Sequence, residues 1–326
     1  MAKYRIFVNG FWNGFMEKTD GMNVGFLETL FKTSGILSDF VFSNLRDANV
    51  LLESHFHGSY IHTKDWELAI FFSGENIQAH GYETRDYSVY DLVLAGHKDP
   101  NVSNLVELPL AIYYIYSNPD ILDRLNRNRV TENQKDPDRK FACFIVSNGK
   151  SEVRNTMFSE LSKYRFVDSW GHHANNMGLY IQAPYWSQGF IDLMRNYKFC
   201  ICFENSENES YVTEKIVNAY LAGCIPIYWG AKNVTDIFSA DTMIRLEHPS
   251  VENFIEVVEK VAEIDQIPVK YASYFRNPPI IADFSEKWSI PRIAERIDAV
   301  IRAKNKLQNR RVPRITMKLD FYTIAH

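Results

Sequence analysis

Hydrophobic positions along the first half of the chain come in short runs separated by polar residues. These runs lie at residues 4–8, 26–31, 39–42, 68–72 and 90–94. Runs of this length and spacing are typical of buried strands that alternate with amphipathic helices. Strands that alternate with helices are joined by right-handed crossovers and form a mostly parallel sheet. The first half therefore predicts one α/β unit.

The same pattern restarts after a polar interval. Residues 126–140 read NRNRVTENQKDPDRK, which is charged, contains one proline and predicts a linker. Beyond it, the pattern predicts strands at 141–146 and 243–246 and helices at 151–164, 251–264 and 285–307. We therefore predict an N-terminal domain at 1–135, a C-terminal domain at 136–300 and a basic tail at 301–326. Two Rossmann-like domains facing a cleft are the expected α/β architecture.

Composition narrows the class of protein. The chain has 326 residues, which is long for a single core, and 46% of them are hydrophobic while 23% are charged, as in soluble globular proteins. A net charge of −4 disfavours nucleic acid as a partner. The four cysteines have no CxxC spacing and predict buried thiols in a reducing compartment. With no long apolar segment, we expect a cytoplasmic protein.

The richest segment runs from residue 198 to 230 and reads KFCICFENSENESYVTEKIVNAYLAGCIPIYWG. Its continuous apolar run at 199–203 predicts a strand buried on both faces. A helix follows, with Ser210 or Thr213 as its expected N-cap. Open parallel sheets bind ligands beyond the carboxyl ends of their strands, so the polar residues between strand and helix are candidates for a binding site.

Two cations at strand ends predict an anion site. Lys215 lies in the first turn of the predicted helix, where the helix dipole opposes a positive charge by about 0.3–1 kcal/mol unless an anion is bound. Arg154 follows the strand at 141–146 at the same sheet edge. Taken alone, a Glu214–Lys215 pair or a helix arginine is more often an ordinary surface charge. Together, they fit a diphosphate and its departure as a leaving group.

A carboxylate in the first half is the candidate base. The strand at 68–72 runs into a turn that contains Gly74 and Glu75. An isolated turn carboxylate is usually only solvated, but Glu75 would face the two cations if the sheets face each other. A carboxylate there suits removal of a proton from a sugar hydroxyl.

The sequence lacks the motifs of other nucleotide-binding and metal-binding proteins. The sequence has neither GxGxxG after a strand nor GxxxxGK[ST]. Asp136 and Asp138 lie in the polar linker, and the histidines have no partner set with zinc-like spacing. We therefore predict no dedicated metal site.

The FENSENESYVTEK stretch resembles the donor-binding motif of the α-1,3/4-fucosyltransferases, especially their soluble bacterial branch. The order of SGEN, FIVSN, VRN, YKF, FEN and IPIYWG along residues 75–230 is also similar. This resemblance implies a GT-B fold and an inverting transfer of L-fucose from GDP-β-L-fucose. The acceptor is expected to be a glycan, with transfer to a hydroxyl of N-acetylglucosamine, most simply the 3-OH of N-acetyllactosamine as in Lewis antigens.

The resemblance also implies residue roles. Glu75 is the general base, Arg154 and Lys215 bind the diphosphate, and Glu214 binds ribose or fucose hydroxyls. Residues 187–190 lie near the guanine, and Trp12 and Asn13 form a wall for the acceptor. The remaining donor-binding residues are Ser147, Asn148, Asn205, Tyr211, Val212 and Thr213.

Several expectations stay open at this point. No cofactor is required, although a divalent metal could stimulate transfer. Glu207 and Glu209 should face solvent, because they would repel a diphosphate. The basic tail could touch an anionic membrane surface or simply be solvated. The alternatives to this function are a non-catalytic nucleotide-sugar or glycan-binding protein and a related transferase that uses another GDP-sugar.

Overall fold

A six-stranded parallel sheet forms the first half of the molecule. The computed structural model describes residues 2–19, 21–56, 61, 65–77, 82–96, 99–130 and 138–310. The strand order is β2-β1-β3-β4-β5-β6, and all neighbouring pairs are parallel. The strands are β1 (Tyr4–Asn9), β2 (Phe40–Phe42), β3 (Val50–Glu53), β4 (Leu68–Ser73), β5 (Leu92–Ala95) and β6 (Leu105–Glu107).

A five-stranded parallel sheet forms the second half, in the order β11-β10-β9-β7-β8. Its strands are β7 (Lys140–Phe144), β8 (Val167–Ser169), β9 (Tyr197–Ile201), β10 (Ile225–Tyr228) and β11 (Ile244–Arg245). The two parallel sheets confirm the predicted fold class. The short strands β3, β6 and β8 were missing from the prediction.

Ten α-helices connect and cover the sheets within the described residues. They are α1 (Val24–Thr33), α2 (Leu110–Ser117), α3 (Pro119–Leu125), α4 (Glu152–Tyr164), α5 (Gln188–Met194), α6 (Glu214–Leu221), α7 (Val251–Gln266), α8 (Pro268–Ser273), α9 (Phe284–Trp288) and α10 (Ile290–Arg310). None of them is long and apolar enough to cross a membrane.

The single helix predicted at 285–307 is wrong, since the structure divides it into α9 and α10. Ser289 between them is extended, with φ −63° and ψ 149°. Pro291 lies in the first turn of α10, where its missing N–H is tolerated. Within a continuous helix, its ring would clash with the carbonyl four residues earlier, so the helix restarts here instead.

The centre of the second sheet contains the thiols. Cys143 on β7 lies directly beside Cys200 on β9, and all four cysteines are buried and free. Burial raises the pKa of the Cys143 and Cys224 thiols. The predicted buried thiols are therefore confirmed, while the reducing compartment stays a prediction.

Helices α2 and α3 of the first half pack against α6 of the second. The Ala111 backbone N–H on α2 donates to the Val212 carbonyl over 2.9 Å. The Ser210 hydroxyl, just before α6, donates to the Glu107 carboxylate at the end of β6. The two sheets are therefore joined through the loop that precedes α6, so the carboxyl ends of both sheets share one cleft.

Helix α10 returns from the second half and packs on α1, β5 and β6 of the first. Its Asp298 is 6% exposed and accepts hydrogen bonds from the Ser34 hydroxyl and, over 2.8 Å, from the Gly35 N–H. The predicted domain limits stay predictions, but the chain beyond residue 290 contacts both halves. The end of the basic tail, residues 311–326, lies outside the described residues, as does its expected membrane contact.

Replacing Asp298 tests how much this returning helix contributes to stability. Asp298→Ala leaves the Ser34 hydroxyl and the Gly35 N–H without their acceptor, so we expect the free energy of unfolding to fall by about 2–4 kcal/mol. Arg292→Ala is the control on the same helix, because its pair with Glu295 is exposed; we expect a change within about 0.5 kcal/mol. Urea denaturation measures both. Equal midpoints for the two variants would show that the Asp298 contacts contribute little.

Candidate active site

Two cavities meet beside the start of α6. The cleft cavity, of about 540 Å³, lies between the two sheets, and the inner cavity, of about 280 Å³, enters the second half. Tyr185, Glu214 and Lys215 line both. The cleft cavity is also lined by Trp12, Asn13, Glu75, Asn205, Tyr211 and Thr213, and the inner cavity by Ser147, Phe190, Cys200 and Cys202. Most of the predicted residues therefore gather around two connected spaces.

Glu75 is aimed into the cleft by the turn that follows β4. The Ser73 hydroxyl accepts from the Glu75 N–H over 3.1 Å and donates to the Glu75 carbonyl over 3.0 Å. A Cβ at Gly74 would lie 2.8 Å from Leu110 Cδ1, so glycine lets the turn pack closely against the Leu110 side chain on α2. The turn is therefore tightly defined, and the carboxylate it presents lines the cavity.

The Tyr211 hydroxyl, from the second half, donates to Glu75 Oε2 over 2.9 Å. Tyr211 is 1% exposed, and burial raises the pKa of its phenol, reinforced by the charge of Glu75. A buried phenol that stays protonated is a fixed donor for a carboxylate. Tyr211 therefore orients Glu75 across the cleft.

The next residue strengthens this cross-domain contact. The Asn76 amide donates to the Ser206 hydroxyl over 2.9 Å and accepts from the Asn208 amide over 2.9 Å. The turn after β4 and the loop after β9 are thus held together by several bonds. Glu207 and Glu209 on this loop are exposed, which confirms the expectation that they face solvent.

Lys215 lies among three carboxylates. Its Nζ is 3.1 Å from Glu204 Oε2 and 3.9 Å from Glu214 Oε1, and Glu75 lines the same cavity. Burial by itself lowers the pKa of Lys215, but the charges of Glu204, Glu214 and Glu75 outweigh it and raise the pKa above its usual value. The side chain is about a quarter exposed, so a firmly charged ammonium faces both cavities.

Thr213 is the N-cap residue of α6, as one of the two expected choices. Its hydroxyl, however, donates to Glu204 over 2.8 Å and accepts from Lys215 over 2.9 Å instead of capping the helix. Ser210, the other choice, has a left-handed φ of 61° and is bonded to Glu107. The first N–H groups of α6 therefore have no side-chain cap from Thr213.

Arg154 lies behind the cavity walls, at 2% exposed. Its guanidinium donates to Asn205 Oδ1 over 2.7 Å and to the Asn148 carbonyl. Burial lowers its pKa, and the nearby charge of Glu204 partly offsets this effect. In this arrangement Arg154 holds two other predicted donor residues, and Asn205 stands between it and the cleft.

The other predicted residues are placed as follows. Ser147 lines the inner cavity, and Val212 is fully buried, contributing its carbonyl to the contact with α2. Ser187 caps α5, and Phe190 on that helix lines the inner cavity. Trp12 and Asn13 line the cleft cavity opposite α6.

Three residues of this site were given no specific role in the sequence analysis, although Glu204 is one of the polar residues between the strand and the helix that were candidates for a binding site. Glu204 is buried beneath Lys215, and Tyr185 and Trp186 line the cleft cavity. Glu204 belongs to the FEN motif, whose position after a strand was a usable signal. Tyr185 and Trp186 lie in an irregular loop with no periodicity, and only the folded chain brings them to the cleft.

Known proteins are similar in sequence to this chain. The family model described as "Glycosyltransferase family 10 (fucosyltransferase) C-term" matches residues 135–310. An alpha-(1,3)-fucosyltransferase of Helicobacter pylori is 32% identical over 133 residues, which are 40% of this chain and 26% of the relative. A putative fucosyltransferase of Acanthamoeba polyphaga mimivirus is 27% identical over 220 residues, 64% of this chain and 34% of the relative.

A human 4-galactosyl-N-acetylglucosaminide 3-alpha-L-fucosyltransferase is 26% identical over 190 residues, 57% of this chain and 46% of the relative. The aligned parts of these three relatives are thus less than half of their lengths.

Solved structures share the fold. A crystal structure of an alpha1,3-fucosyltransferase with GDP-fucose superposes with a TM-score of 0.65 at 20% identity, covering 91% of this chain and 90% of the other. The architecture is therefore GT-B, as expected. Because the family model covers more than half of the 326 residues, the chain belongs to glycosyltransferase family 10, the fucosyltransferases.

Proposed function

We propose that this protein is an inverting fucosyltransferase that moves L-fucose from GDP-β-L-fucose to a hydroxyl of N-acetylglucosamine in a glycan. The observation that supports this most is one cavity with a carboxylate on one wall and a fixed ammonium on the other. Glu75 and Lys215 line that cavity from different sheets. A base and an anion site on opposite sides of one space suit displacement of a diphosphate by a hydroxyl.

The donor occupies both cavities in this proposal. The inner cavity, with its apolar lining, takes the guanosine, and Phe190 lies near the base. The diphosphate lies at the junction, where Lys215 and the N–H groups of α6 face it. Glu214, which lines both spaces, is placed to accept hydrogen bonds from sugar hydroxyls. Arg154 adds positive potential from behind Asn205, while Lys215 makes the direct contact.

The acceptor enters the cleft cavity from the side of the first half. Trp12, Phe56 and Trp186 line this space and offer aromatic faces. Such faces pack against the apolar faces of sugar rings, while their edges leave hydroxyl groups free to hydrogen bond. Glu75 then receives the acceptor hydroxyl, and the 3-OH of N-acetylglucosamine is the proposed nucleophile.

The chemical step follows from these positions. The hydroxyl oxygen attacks the anomeric carbon as Glu75 removes its proton, and the bond to the diphosphate breaks on the opposite face. The leaving diphosphate gains negative charge next to Lys215 and the N–H groups of α6, whose orientation is already fixed. Attack opposite the leaving group inverts the β-linked donor to an α-linked product.

The two alternative functions, a non-catalytic sugar-binding protein and a transferase for another GDP-sugar, would require different properties of the same residues. A non-catalytic sugar-binding protein would have no use for a carboxylate held by a buried phenol, as Glu75 is held by Tyr211. A related transferase with another GDP-sugar would keep both features and differ only around the sugar. The geometry therefore favours an enzyme, and the donor has to be tested directly.

A donor and acceptor panel tests the function. We expect release of GDP from GDP-fucose to rise at least about tenfold when N-acetyllactosamine is added, and to stay at background with GDP-mannose. Mass spectrometry should find one added fucose. Acceptor-dependent release from another GDP-sugar alone would favour the related transferase, and GDP-fucose binding without any release would favour the binding protein.

Glu75→Gln tests the base. Because Gln cannot accept the proton, kcat should fall by about 10²–10⁴-fold while the Kd for GDP-fucose changes little. Tyr211→Phe, which removes only the hydroxyl that orients Glu75, should give a smaller loss of about tenfold. Steady-state kinetics and calorimetry measure these quantities. Near-normal turnover by Glu75→Gln would refute the role of this residue.

We propose that no metal is required, because Lys215 and Arg154 already supply positive charge to the diphosphate region. Transfer in the presence of EDTA should stay within about fivefold of the rate with Mg²⁺ or Mn²⁺. The control is the same assay with the divalent ion restored in excess. Loss of activity in EDTA that the added ion restores would contradict this proposal.

A further inference from the structure

Glu204, the residue directly after the FEN phenylalanine, is the least exposed charged group at the site. Its relative exposure is 0%, and its backbone N–H donates to the Trp229 carbonyl over 2.9 Å, which extends the β9–β10 pairing. Glu204 lines neither of the two cavities described above. Any part it has in the reaction must therefore pass through its neighbours.

The hydrogen bonds of its carboxylate lead to the start of α6. One carboxylate oxygen accepts from the Thr213 N–H over 2.8 Å. The other accepts from the Thr213 hydroxyl over 2.8 Å and from Lys215 Nζ over 3.1 Å. A single buried carboxylate thus fixes both the backbone entry to the helix and the ammonium that faces the cavities.

Gly230 leaves space for the Glu204 side chain. Gly230 has φ 148°, and a Cβ there would lie 2.5 Å from Glu204 Cγ and 2.8 Å from Glu204 Cβ. The glycine that ends the IPIYWG motif and the glutamate of the FEN motif therefore form one packed unit. The two motifs meet here because β9 and β10 are paired.

We propose that Glu204 is a positioning residue that aims Lys215 at the diphosphate of the donor, acting through Thr213 and its own ion pair. The inference rests on the proposed function, since it needs a diphosphate at the junction of the cavities. Lys215 has three rotatable donors, and Glu204 and Thr213 each engage the ammonium from the protein side. The remaining donor is left to face the ligand.

Considered alone, the charge of Glu204 predicts the opposite change in affinity for GDP. A carboxylate this close to a diphosphate repels it, so removing the charge would tighten binding if position did not matter. Glu204→Gln separates the two effects, because the side chain keeps its size and can still accept from the Thr213 N–H. If position dominates, the affinity for GDP falls; if charge dominates, it rises.

Calorimetry with GDP and with guanosine provides the test. In Glu204→Gln, the Kd for GDP should rise by about tenfold, while the Kd for guanosine, which has no phosphate, should stay within about twofold. Glu207→Gln is the matched control: it removes the same charge from the same loop, but Glu207 is exposed and pairs with Lys232 at 3.0 Å. Its Kd for GDP should stay within about twofold of the wild type.

A double-variant cycle shows whether the effect passes through Lys215. If it does, Glu204→Gln combined with Lys215→Ala binds GDP within about twofold of Lys215→Ala alone. Independent, additive losses would overturn the proposal, as would GDP binding by Glu204→Gln that equals or exceeds that of the wild type. Equal losses for GDP and guanosine in a folded variant would also overturn it, since they indicate general damage to the site.

Thr213→Val keeps the test decisive if Glu204→Gln does not fold. The valine has the same shape but lacks the hydroxyl between Glu204 and Lys215, so the Kd for GDP should rise by about threefold with guanosine unaffected. An unchanged Kd for GDP would count against the proposal. Wild-type protein that binds GDP no more tightly than guanosine would instead refute the proposed donor site itself.

Discussion

Helix α6 is held at both ends, and the site depends on this. At its start, Glu204 fixes Thr213 and Lys215. At its end, three arginines donate to successive carbonyls: Arg124 to Leu221, Arg139 to Ala222 and Gly223, and Arg129 to Cys224. Cations at a helix C-terminus satisfy its free carbonyls and favour its dipole. The eight-residue helix is therefore firmly placed, although it is too short to be stable alone.

These arginines also explain how the two halves are joined. Arg124 lies on α3 of the first half, and Arg129 and Arg139 lie in the stretch that leads to the second sheet. The same helix that binds the donor in our proposal is thus fixed by residues from outside its own sheet. Together with α10, which packs back on α1, they connect the two halves. The cleft is a consequence of this placement.

The fold could be predicted from sequence, and most of the predicted site residues lie at the two cavities, for identifiable reasons. Apolar runs at β1, β4, β7 and β9 gave the two parallel sheets, because buried strands need continuous hydrophobic residues. Glu75 and Lys215 were found because each follows such a strand or opens a helix. Arg154 was expected at the diphosphate, but in the structure it is buried and bonded to Asn205 and Asn148. The position of a residue in the sequence shows at which edge of a sheet it lies, but not how deeply it is buried.

The sequence by itself determined two parallel sheets, the strand ends at which chemistry would gather, and the resemblance that suggested the donor. Local periodicity and turn chemistry depend on residues that are close together in the chain, so the amino-acid sequence shows them directly. Only the tertiary structure decided that Tyr211 orients Glu75 across the cleft, that Glu204 and Gly230 pack as one unit, and that α10 returns to the first half. Each of these contacts joins residues far apart along the chain, and their formation depends on how the two sheets are held against each other.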